Sequence, residues 1–503
     1  MGEFSYSDLM SVNLAGLGTA AGDWRTMAGE LAKLANEVRD GLTRKAEAAR
    51  WQGVNATVTR EFVGKTAKEF ADLQKEAESV ANVLADAHAE LVRCQKKARE
   101  HTESAGRGDP SRQPPDPGLL ISDGPNGTVR VSEAICTPEG PHQRTTDRIQ
   151  WYADTLTAIV QHAAEIDAAA VRALRKSHGG DPQNAGHARH TSLDEVQLPR
   201  AKELAGLGAD ASPQQRAELR RLWDSLSSTA RAQIWLDQKV DLMAAGILGP
   251  TAPQIAADAG SGKHGSESPG FDDLATKQRM ELLAEGADWK GMTEASRHMS
   301  HYLGNSGSPL NLPVDKMMVD VPEFQSYINK IVQGNLEDWH GRALGEFREN
   351  DGKPVSFSFE VKGSEGFYFV GDDNENWFYA VGGVNSNITG VVTAVPDANG
   401  NPKVDVDYQV NVWDRYNWDE GKGVNIGPMK IPDGEMAKLH RVGLAQEFDM
   451  SGSSSVQHYE LGSVEPNNDP LPGPEEGRDG RMNPGREQQQ DRMTDAPGRT
   501  ATR

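Results

Sequence analysis

Two long runs of apolar residues at heptad spacing occupy the first hundred positions of this chain. The first run extends from Leu17 to Val38 and the second from Val63 to Cys94, with Trp51-Gln52-Gly53 between them. Two such helices can bury their stripes only against each other or against a partner. Glycine permits a sharp reversal, and a tryptophan packed over it orients the second helix. We therefore predict an antiparallel helical hairpin over residues 1–103, with Trp51 and Gly53 at its bend. The stripes consist of Leu17, Ala20, Trp24, Met27, Leu31, Leu34 and Val38, then Val63, Thr66, Phe70, Leu73, Ala77, Val80, Leu84, Ala87, Leu91 and Cys94.

The chain as a whole is long, polar and acidic. Its 503 residues suffice for two to four domains, and a hydrophobic content of 37% is low for one compact globule. A formal net charge of -21 argues against sequence-independent nucleic-acid binding and against docking on an anionic membrane. No run of apolar residues is long enough to span a membrane, and the first residues do not form an ordinary signal peptide. Two cysteines, Cys94 and Cys136, are too few for a disulfide framework, and their pairing is left open.

Composition and periodicity divide the rest of the chain into four segments. Residues 119–250 are predicted to form a small β-hairpin followed by a helical connector, in which Ser212 caps a helix that begins at Pro213. After a linker rich in glycine and serine, residues 271–347 are predicted to be a helical segment. Residues 348–463 are predicted to be a β-rich C-terminal domain, and residues 464–503 a disordered tail.

The C-terminal domain is predicted from short β-branched and aromatic runs. In the strand that begins at Val404, apolar and polar residues alternate strictly, as in a half-buried antiparallel strand. A turn built around Asn399-Gly400 precedes it, and a helix over Asp433–Phe448, capped by Asp433, closes the domain. The predicted fold class is therefore α+β and multidomain, with a helical hairpin and connector before an antiparallel β-rich domain. The predicted strands are Val355–Val361, Phe367–Val370, Trp377–Val381, Val391–Val395 and Val404–Trp413.

Several short motifs match ligand-binding patterns only in part. The stretch Gly260-Ser261-Gly262-Lys263 lacks the first glycine and the final Ser or Thr of a phosphate-binding loop, which favours a linker. The pairs His298/His301 and His187/His190 have ligand-like spacing, but no third ligand or glutamate base stands nearby. We therefore predict solvated helix or loop there and no metal ligands, and no motif indicates a cofactor.

The tract Asp414–Asp419, where the alternating strand ends, is the main candidate site. Loops at strand ends often present functional groups on a rigid sheet. Asp414 facing the helix-borne His440 would form an acid/base pair, and Arg441 would serve as an anion clamp. The alternative is a structural ion pair between Asp414 and Arg415 under an aromatic corner. The candidate catalytic residues are Asp414, Tyr416, Asp419, His440 and Arg441.

The hairpin resembles the WXG100 proteins of type VII secretion. The resemblance covers residues 5–100 and rests on Trp51-Gln52-Gly53 between two long helices. Substrates of that pathway commonly carry Tyr-x-x-x-Asp/Glu after the second helix. Here no tyrosine lies between Tyr6 and Tyr152, and Leu156 stands four positions after Tyr152. The resemblance therefore implies that the export signal lies on a small WXG-type partner that pairs with the hairpin.

Two shorter resemblances lie further along the chain. Ser212–Trp235 is similar to a helical segment that follows WXG-like hairpins in actinobacterial proteins, sometimes before a hydrolase domain, although no Gly-x-Ser-x-Gly motif occurs here. The Asp-x-Tyr-Asn-Trp tract at 414–418 with His440-Arg441 is faintly similar to lipid II-cleaving colicin M-type domains. Asn417 stands where that pattern has a second carboxylate.

Modular proteins of this type often carry a toxin as their last domain. The resemblance implies an exported effector, made in the cytoplasm and secreted without an ordinary signal peptide, whose C-terminal domain acts on an extracellular or envelope target. An immunity protein is then a second expected partner. The alternatives are a non-enzymatic surface or partner-binding protein, whose aromatic residues hold a partner or a glycan, and a cytoplasmic scaffold. Whether the chain is an enzyme is left open.

Overall fold

The computed structural model describes residues 4–48, 54–108, 118–134, 143–177, 189–250, 261–362, 366–371, 374–418, 423–426, 429–462 and 470–474. Several residues of the sequence predictions lie outside these ranges, among them Trp51, Gly53, Cys136, His187, Gly260 and Asp419. Apart from residues 470–474, the predicted disordered tail lies outside them as well.

The chain forms two compact units. The first comprises Met1–Glu203 with Glu218–Ser227, and the second comprises Leu204–Ala217 with Ser228–Arg503. Helices dominate the first unit, and the second combines a sheet with helices, so the fold is α+β and multidomain as predicted. The predicted boundary at residue 348 does not separate the units, because the helices from residue 228 onward belong with the sheet.

A long helical hairpin forms the first half of unit one. Its two arms are antiparallel, since Tyr6 Oη lies 2.8 Å from Thr102 Oγ1, and a Cβ added at Gly18 would touch the ring of His88. The helices are α1 (Tyr6–Ser11), α2 (Ala15–Glu37), a π-helical turn (Val38–Thr43), α3 (Arg44–Ala48) and α4 (Val54–Arg107).

The residues that α2 buries differ in part from the predicted apolar stripe. Ala21, Ala28 and Ala35 are buried at a spacing of seven residues, and these small side chains let α2 approach α4 closely. Met27 and Leu34 each stand one position before a buried alanine and are therefore exposed, as is Leu73 on α4, contrary to prediction. The stripe of α4 from Ala77 to Cys94 is otherwise mostly buried.

The rest of unit one packs against α4. The predicted small hairpin is confirmed as β1 (Leu119–Asp123) and β2 (Val129–Glu133), and the third long helix as α5 (Gln143–Ser177). Cys94 lies buried as a free thiol in the core shared by α4 and α5, where burial raises its pKa to about 12. Two shorter helices follow, α6 (Asp194–Ala205) and α7 (Pro213–Ser225).

The predicted N-cap of α7 is confirmed. The Gln215 N–H donates to Ser212 Oγ at 3.3 Å, and the Ser212 N–H donates to Gln215 Oε1 at 2.8 Å. These reciprocal bonds satisfy two backbone donors at the start of the helix, and Pro213 stands at its first position.

Unit two is built on a seven-stranded sheet. Five strands lie in the order β3-β10-β7-β6-β4, while β11 pairs with β7 and β5 with β6. All pairings are antiparallel, as predicted, except that β10 and β3 are parallel. The strands are β3 (Leu310–Asn311), β4 (Val355–Lys362), β5 (Phe367–Tyr368), β6 (Gly383–Pro396), β7 (Pro402–Tyr416), β10 (Phe448–Ser453) and β11 (Gln457–Gly462), with a separate hairpin of β8 (Gly423–Ile426) and β9 (Met429–Pro432).

Helices cover the sheet and contribute to the large apolar core on one of its faces. Two predictions were wrong here. Residues 375–381 form a helix, not a strand, because Asn374 caps it by accepting the Trp377 N–H at 3.1 Å. The closing helix ends at Arg441, Gly443 turns the chain at a φ of +73°, and Phe448 begins a strand. The helices are α8 (Ser228–Ala244), α9 (Phe271–Trp289), α10 (Thr293–Leu303), α11 (Val314–Asp320), α12 (Pro322–Gln333), α13 (Leu336–Glu349), α14 (Glu375–Val381) and α15 (Asp433–Arg441).

Strand β7 is largely buried on both faces, whereas its alternation predicted a half-buried strand. Its apolar residues enter the large core, and its polar residues form a network with neighbouring strands. The Asn411 amide donates to Asn387 Oδ1 at 3.0 Å and to Thr389 Oγ1 at 2.9 Å. Lys239 of α8 pairs with Asp407 at 2.6 Å on the same face. These bonds satisfy polar groups that burial would otherwise leave without partners.

Candidate functional site

The end of β7 borders a cleft of about 600 Å³, which we call the strand-end cleft. This volume lies in the range of small-molecule binding sites. One wall is the tract 414–418, a second is the chain from the end of α14 into β6, and Tyr368, Phe369 and Asp433 complete the lining. The lining residues are Gly366, Tyr368, Phe369, Phe378, Tyr379, Ala380, Val381, Gly382, Gly383, Val384, Asn385, Asp414, Arg415, Tyr416, Asn417, Trp418 and Asp433.

Two glycines shape the second wall. Gly382 has a φ of +66°, a conformation that glycine adopts without strain, and it ends α14 immediately before β6. A Cβ added at Gly383 would lie 2.8 Å from Cδ1 of Tyr368, so any other residue there would require the Tyr368 ring to move. The ring of Tyr368 therefore rests against the backbone of β6, although 77% of the residue remains exposed.

Tyr416 and Trp418 place two polar atoms at the wall formed by β7. The Tyr416 ring stacks on Phe448 at a centroid distance of 5.0 Å and meets Trp418 edge-on at 6.0 Å. Its hydroxyl and the indole N–H of Trp418 are buried, and neither forms a hydrogen bond of normal geometry with the described residues. Burial raises the pKa of Tyr416 well above its ordinary value, and the nearby Trp418 offsets only a part of this effect. The phenol is therefore neutral at physiological pH.

Asp414 lines the cleft, together with residues 415–418, which follow it. Asp414 pairs with Met450 of β10 in the sheet and is partly buried. The guanidinium of Arg415 lies near two acidic side chains, with Nε 3.8 Å from Glu447 Oε2 and Nη1 3.9 Å from Asp449 Oδ1. Arg415 is thus engaged with carboxylates other than Asp414.

His440 and Arg441 do not line the cleft. His440 Nδ1 accepts the Glu447 N–H at 3.2 Å, so Nε2 carries the proton and donates to the Gly262 carbonyl at 3.0 Å. Burial lowers the pKa of His440, which favours this neutral form. Arg441 donates to Glu267 at 2.9 Å and to the Ser261 carbonyl at 3.1 Å. Asp414 and Tyr416 therefore line the same cleft. His440 and Arg441 instead contact the segment 261–267.

The segment that His440 and Arg441 contact belongs to the predicted linker, of which residues 261–270 are described. Besides its bonds to α15, the Ser261 N–H donates to Glu447 Oε1 at 3.0 Å, and the Ser261 hydroxyl donates to the same carboxylate. The segment is therefore packed against the domain over residues 261–267, which corrects the linker prediction there. The Ser and Gly composition indicated a linker, but the partners, Glu447 and the α15 side chains, are distant in sequence.

The two histidines of α10 are structural. His298 Nδ1 donates to the Ala380 carbonyl at 2.7 Å, and His301 Nε2 donates to the Ser308 carbonyl at 2.8 Å. Both side chains are buried, so the prediction of a solvated helix was wrong, and burial lowers the pKa of His298 to about 3. Of the second pair, His187 lies outside the described residues and His190 is buried.

Within the described residues, one group of side chains has the donors for a metal ion. Ligand atoms of Asp405, His458 and Glu460 all lie within 4.8 Å of one another on the paired strands β7 and β11. Lys403 Nζ lies 2.9 Å from Glu460 Oε1 and 3.7 Å from Asp405 Oδ1, and His458 Nδ1 lies 2.8 Å from Asp407 Oδ1. Lysine thus already supplies positive charge between the two carboxylates. Sequence reasoning missed this group because its members lie on strands about fifty residues apart.

No protein-family model, no curated protein and no solved structure matches this chain. Within the described part of the chain, a search for helices with the length and apolar character of a membrane span found none.

The cleft combines aromatic surfaces with groups that can both donate and accept hydrogen bonds. Sequence reasoning identified Asp414 and Tyr416, but it missed Tyr368 and assigned Asp433 only a capping role. Asp433 stands at the first turn of α15 and lines the same cleft as Asp414. The sequence feature that could have indicated Asp433 as a cleft residue is its position directly after the short strand β9, at the start of a helix.

Proposed function

We propose that this chain is an exported effector of a type VII secretion route. Its C-terminal unit acts on an extracellular or cell-envelope target that it binds in the strand-end cleft. The observation that carries the proposal is that Asp414, Tyr416 and Asp433 line one cleft of about 600 Å³. Two carboxylates and a neutral phenol are groups that can exchange protons with a bound substrate or orient it.

The N-terminal hairpin supports the secretion part of the proposal. The antiparallel pairing of α2 with α4 is the arrangement that the WXG100 resemblance implies. Exposed apolar side chains follow the first turns of α4 at Val58 and Phe62, and Met27 and Leu34 are exposed on α2. Apolar side chains exposed at regular spacing on a helix suit a helical partner. This supports a small WXG-type protein as the partner.

A non-enzymatic binding protein is the second candidate function. The observation that favours it is the state of His440, whose two nitrogens both bond to backbone groups. A general base needs a free lone pair within reach of its substrate. Without His440, the cleft keeps its carboxylates and aromatic rings, which suffice for binding.

Delivery of the full chain to two bacterial compartments tests the proposal. The chain is expressed in the cytoplasm of a test bacterium, or exported to the periplasm behind a cleavable signal peptide. We expect growth arrest only in the periplasm, and loss of that arrest in Asp414→Asn and Asp433→Asn. Asparagine has nearly the same shape as aspartate, so the second variant keeps the size of the side chain at the first residue of α15.

Glu323→Gln provides the matched control, because Glu323 is an exposed carboxylate on α12 outside the cleft. Arrest that survives both cleft substitutions would overturn the assignment of the cleft. Unaffected growth in both compartments would remove the toxic effector and leave the binding protein.

A further inference from the structure

The rim of the strand-end cleft carries an exposed aromatic ring that rests on the backbone of β6. Tyr368 is 77% exposed, and its ring rests on Gly383, where a Cβ would come within 2.8 Å. A tyrosine side chain has only two rotatable bonds, so covering its ring with a ligand costs little conformational freedom. The apolar face of a sugar ring fits such a surface, as do other flat apolar groups.

The wall formed by the end of β7 carries two buried polar groups, the Trp418 indole N–H and the Tyr416 hydroxyl. These two groups lie near each other, and neither forms a hydrogen bond of normal geometry with the described residues; Tyr416 itself is only 6% exposed. Buried donors of this kind carry a free-energy cost that a bound hydroxyl or carbonyl oxygen removes. A ligand that carries several hydroxyl or carbonyl groups could provide partners for these two groups.

The charge of the lining selects against anions. Among the described residues that line the cleft, Asp414 and Asp433 are acidic and Arg415 is basic, and the Arg415 guanidinium lies near Glu447 and Asp449. A phosphate or sulfate group would meet more negative than positive charge there. Carboxylates accept hydrogen bonds from hydroxyl groups without needing a charged partner.

We infer that the strand-end cleft is a binding site for an uncharged saccharide. Its hydroxyls donate to the two carboxylates and accept from Trp418 and Tyr416, while the apolar face of one sugar ring covers Tyr368. The inference rests on the proposed function in that it names the ligand class of the same cleft. It does not depend on whether the saccharide is cleaved.

Calorimetric titration of the full chain tests the inference. The probes are cellotetraose and tetra-N-acetylchitotetraose, which are uncharged, and a chondroitin sulfate tetrasaccharide, which is anionic. We expect at least one uncharged probe to bind with a Kd of about 1 mM or lower. The anionic probe should bind at least about tenfold more weakly.

Variants locate the binding site. Tyr368→Ala should weaken binding at least about tenfold, and Tyr368→Phe, which keeps the ring, should preserve it. Trp418→Phe should weaken binding severalfold, because it removes the N–H donor but keeps an aromatic side chain. Trp289→Ala is the matched control, since Trp289 is 95% exposed on α9 and does not line the cleft. Thermal unfolding of each variant shows whether it is folded.

The inference is overturned if neither uncharged probe binds at concentrations up to about 10 mM. It is equally overturned if the anionic probe binds more tightly, or if folded Tyr368→Ala binds like the wild type. Saccharide binding without periplasmic growth arrest would contradict only the effector proposal. Arrest that depends on Asp414, without saccharide binding, would contradict only the ligand class.

Discussion

The imidazole of His440 accepts the backbone N–H of Glu447 at 3.2 Å and so joins the last turn of α15 to the chain that leads into β10. Its other nitrogen donates to the Gly262 carbonyl at 3.0 Å. This bond anchors the segment 261–267 to α15. A residue that sequence spacing made a candidate base is thus a structural connection among three segments.

His440→Ala should therefore lower the free energy of unfolding by about 2 kcal/mol, because it leaves a buried N–H and a carbonyl without their partner. Urea denaturation measures the change. Glu435→Ala on the same helix, which removes a surface ion pair with Arg279, should cost less than about 1 kcal/mol. A His440→Ala protein of unchanged stability that loses the periplasmic toxicity would instead restore the catalytic interpretation.

Acid should destabilise the second unit through His298. Its pKa in the folded protein is lowered to about 3 by complete burial, so the unfolded chain binds a proton at higher pH than the folded one. The free energy of unfolding therefore falls as the pH drops below about 6.5, the ordinary pKa of histidine.

The His298→Gln variant lacks this titration. Although less stable at neutral pH, it should lose less stability than the wild type between pH 7 and pH 5, by up to about 1.4 kcal/mol per pH unit. Urea denaturation at the two pH values measures this difference, and His88→Gln is a matched control on α4. Parallel pH dependence in wild type and His298→Gln would show that His298 titrates normally in the folded protein.

The fold was predictable wherever local pattern and tertiary environment agree. The stripe of α4, the Ser212 cap and the Asn399-Gly400 turn depend on neighbours in sequence, and the structure contains all three. Trp377–Val381 was mistaken for a strand because of its aromatic and β-branched content, whereas the N-cap Asn374 begins a helix there. Met27 was assigned to the buried stripe because hydrophobicity alone does not favour alanine at a close helix contact.

The candidate site was predictable only in part for the same reason. Asp414 and Tyr416 were identified from a strand end, which is a local feature. The cleft also needs Tyr368 and Asp433, which reach it through the pairing of β5 with β6 and the start of α15. His440 does not line the cleft, and its position could not be predicted because its partners are backbone groups, which any sequence possesses.

Asp407 should be important for the stability of the sheet. Its side chain is 4% exposed, accepts from Lys239 Nζ at 2.6 Å and lies 2.8 Å from His458 Nδ1. Asp407→Asn should lower the free energy of unfolding by about 2 kcal/mol, less than for a fully buried pair because Lys239 retains access to water. Asp237→Asn, on the same helix as Lys239, controls for a general charge effect. Equal stability of both variants and the wild type would show that the pair contributes nothing.

Gly452 should tolerate no side chain. A Cβ there would collide with the Leu312 carbonyl oxygen, which is backbone beside the parallel pair of β3 and β10. Gly452→Ala should therefore destabilise the protein by more than about 3 kcal/mol. Gly400→Ala is the comparison: its φ is +83° but nothing lies within 4 Å, so it should cost only about 1 kcal/mol. A mild effect at Gly452 would mean that β3 can shift away from β10.

Phe62 should be part of the surface that binds a small helical partner. Its side chain is 68% exposed on α4, and Val58 is exposed one turn before it. Phe62→Asp should leave thermal unfolding of the isolated chain nearly unchanged, because little apolar area is buried there. It should abolish co-purification with a small WXG-type protein that binds the wild-type chain, since burying the new carboxylate in a helical interface is costly. Phe271→Asp on α9, where the residue is 84% exposed, should leave that complex intact. Loss of the complex in both variants would indicate unspecific hydrophobic association, and its retention in Phe62→Asp would place the partner on another face of the hairpin.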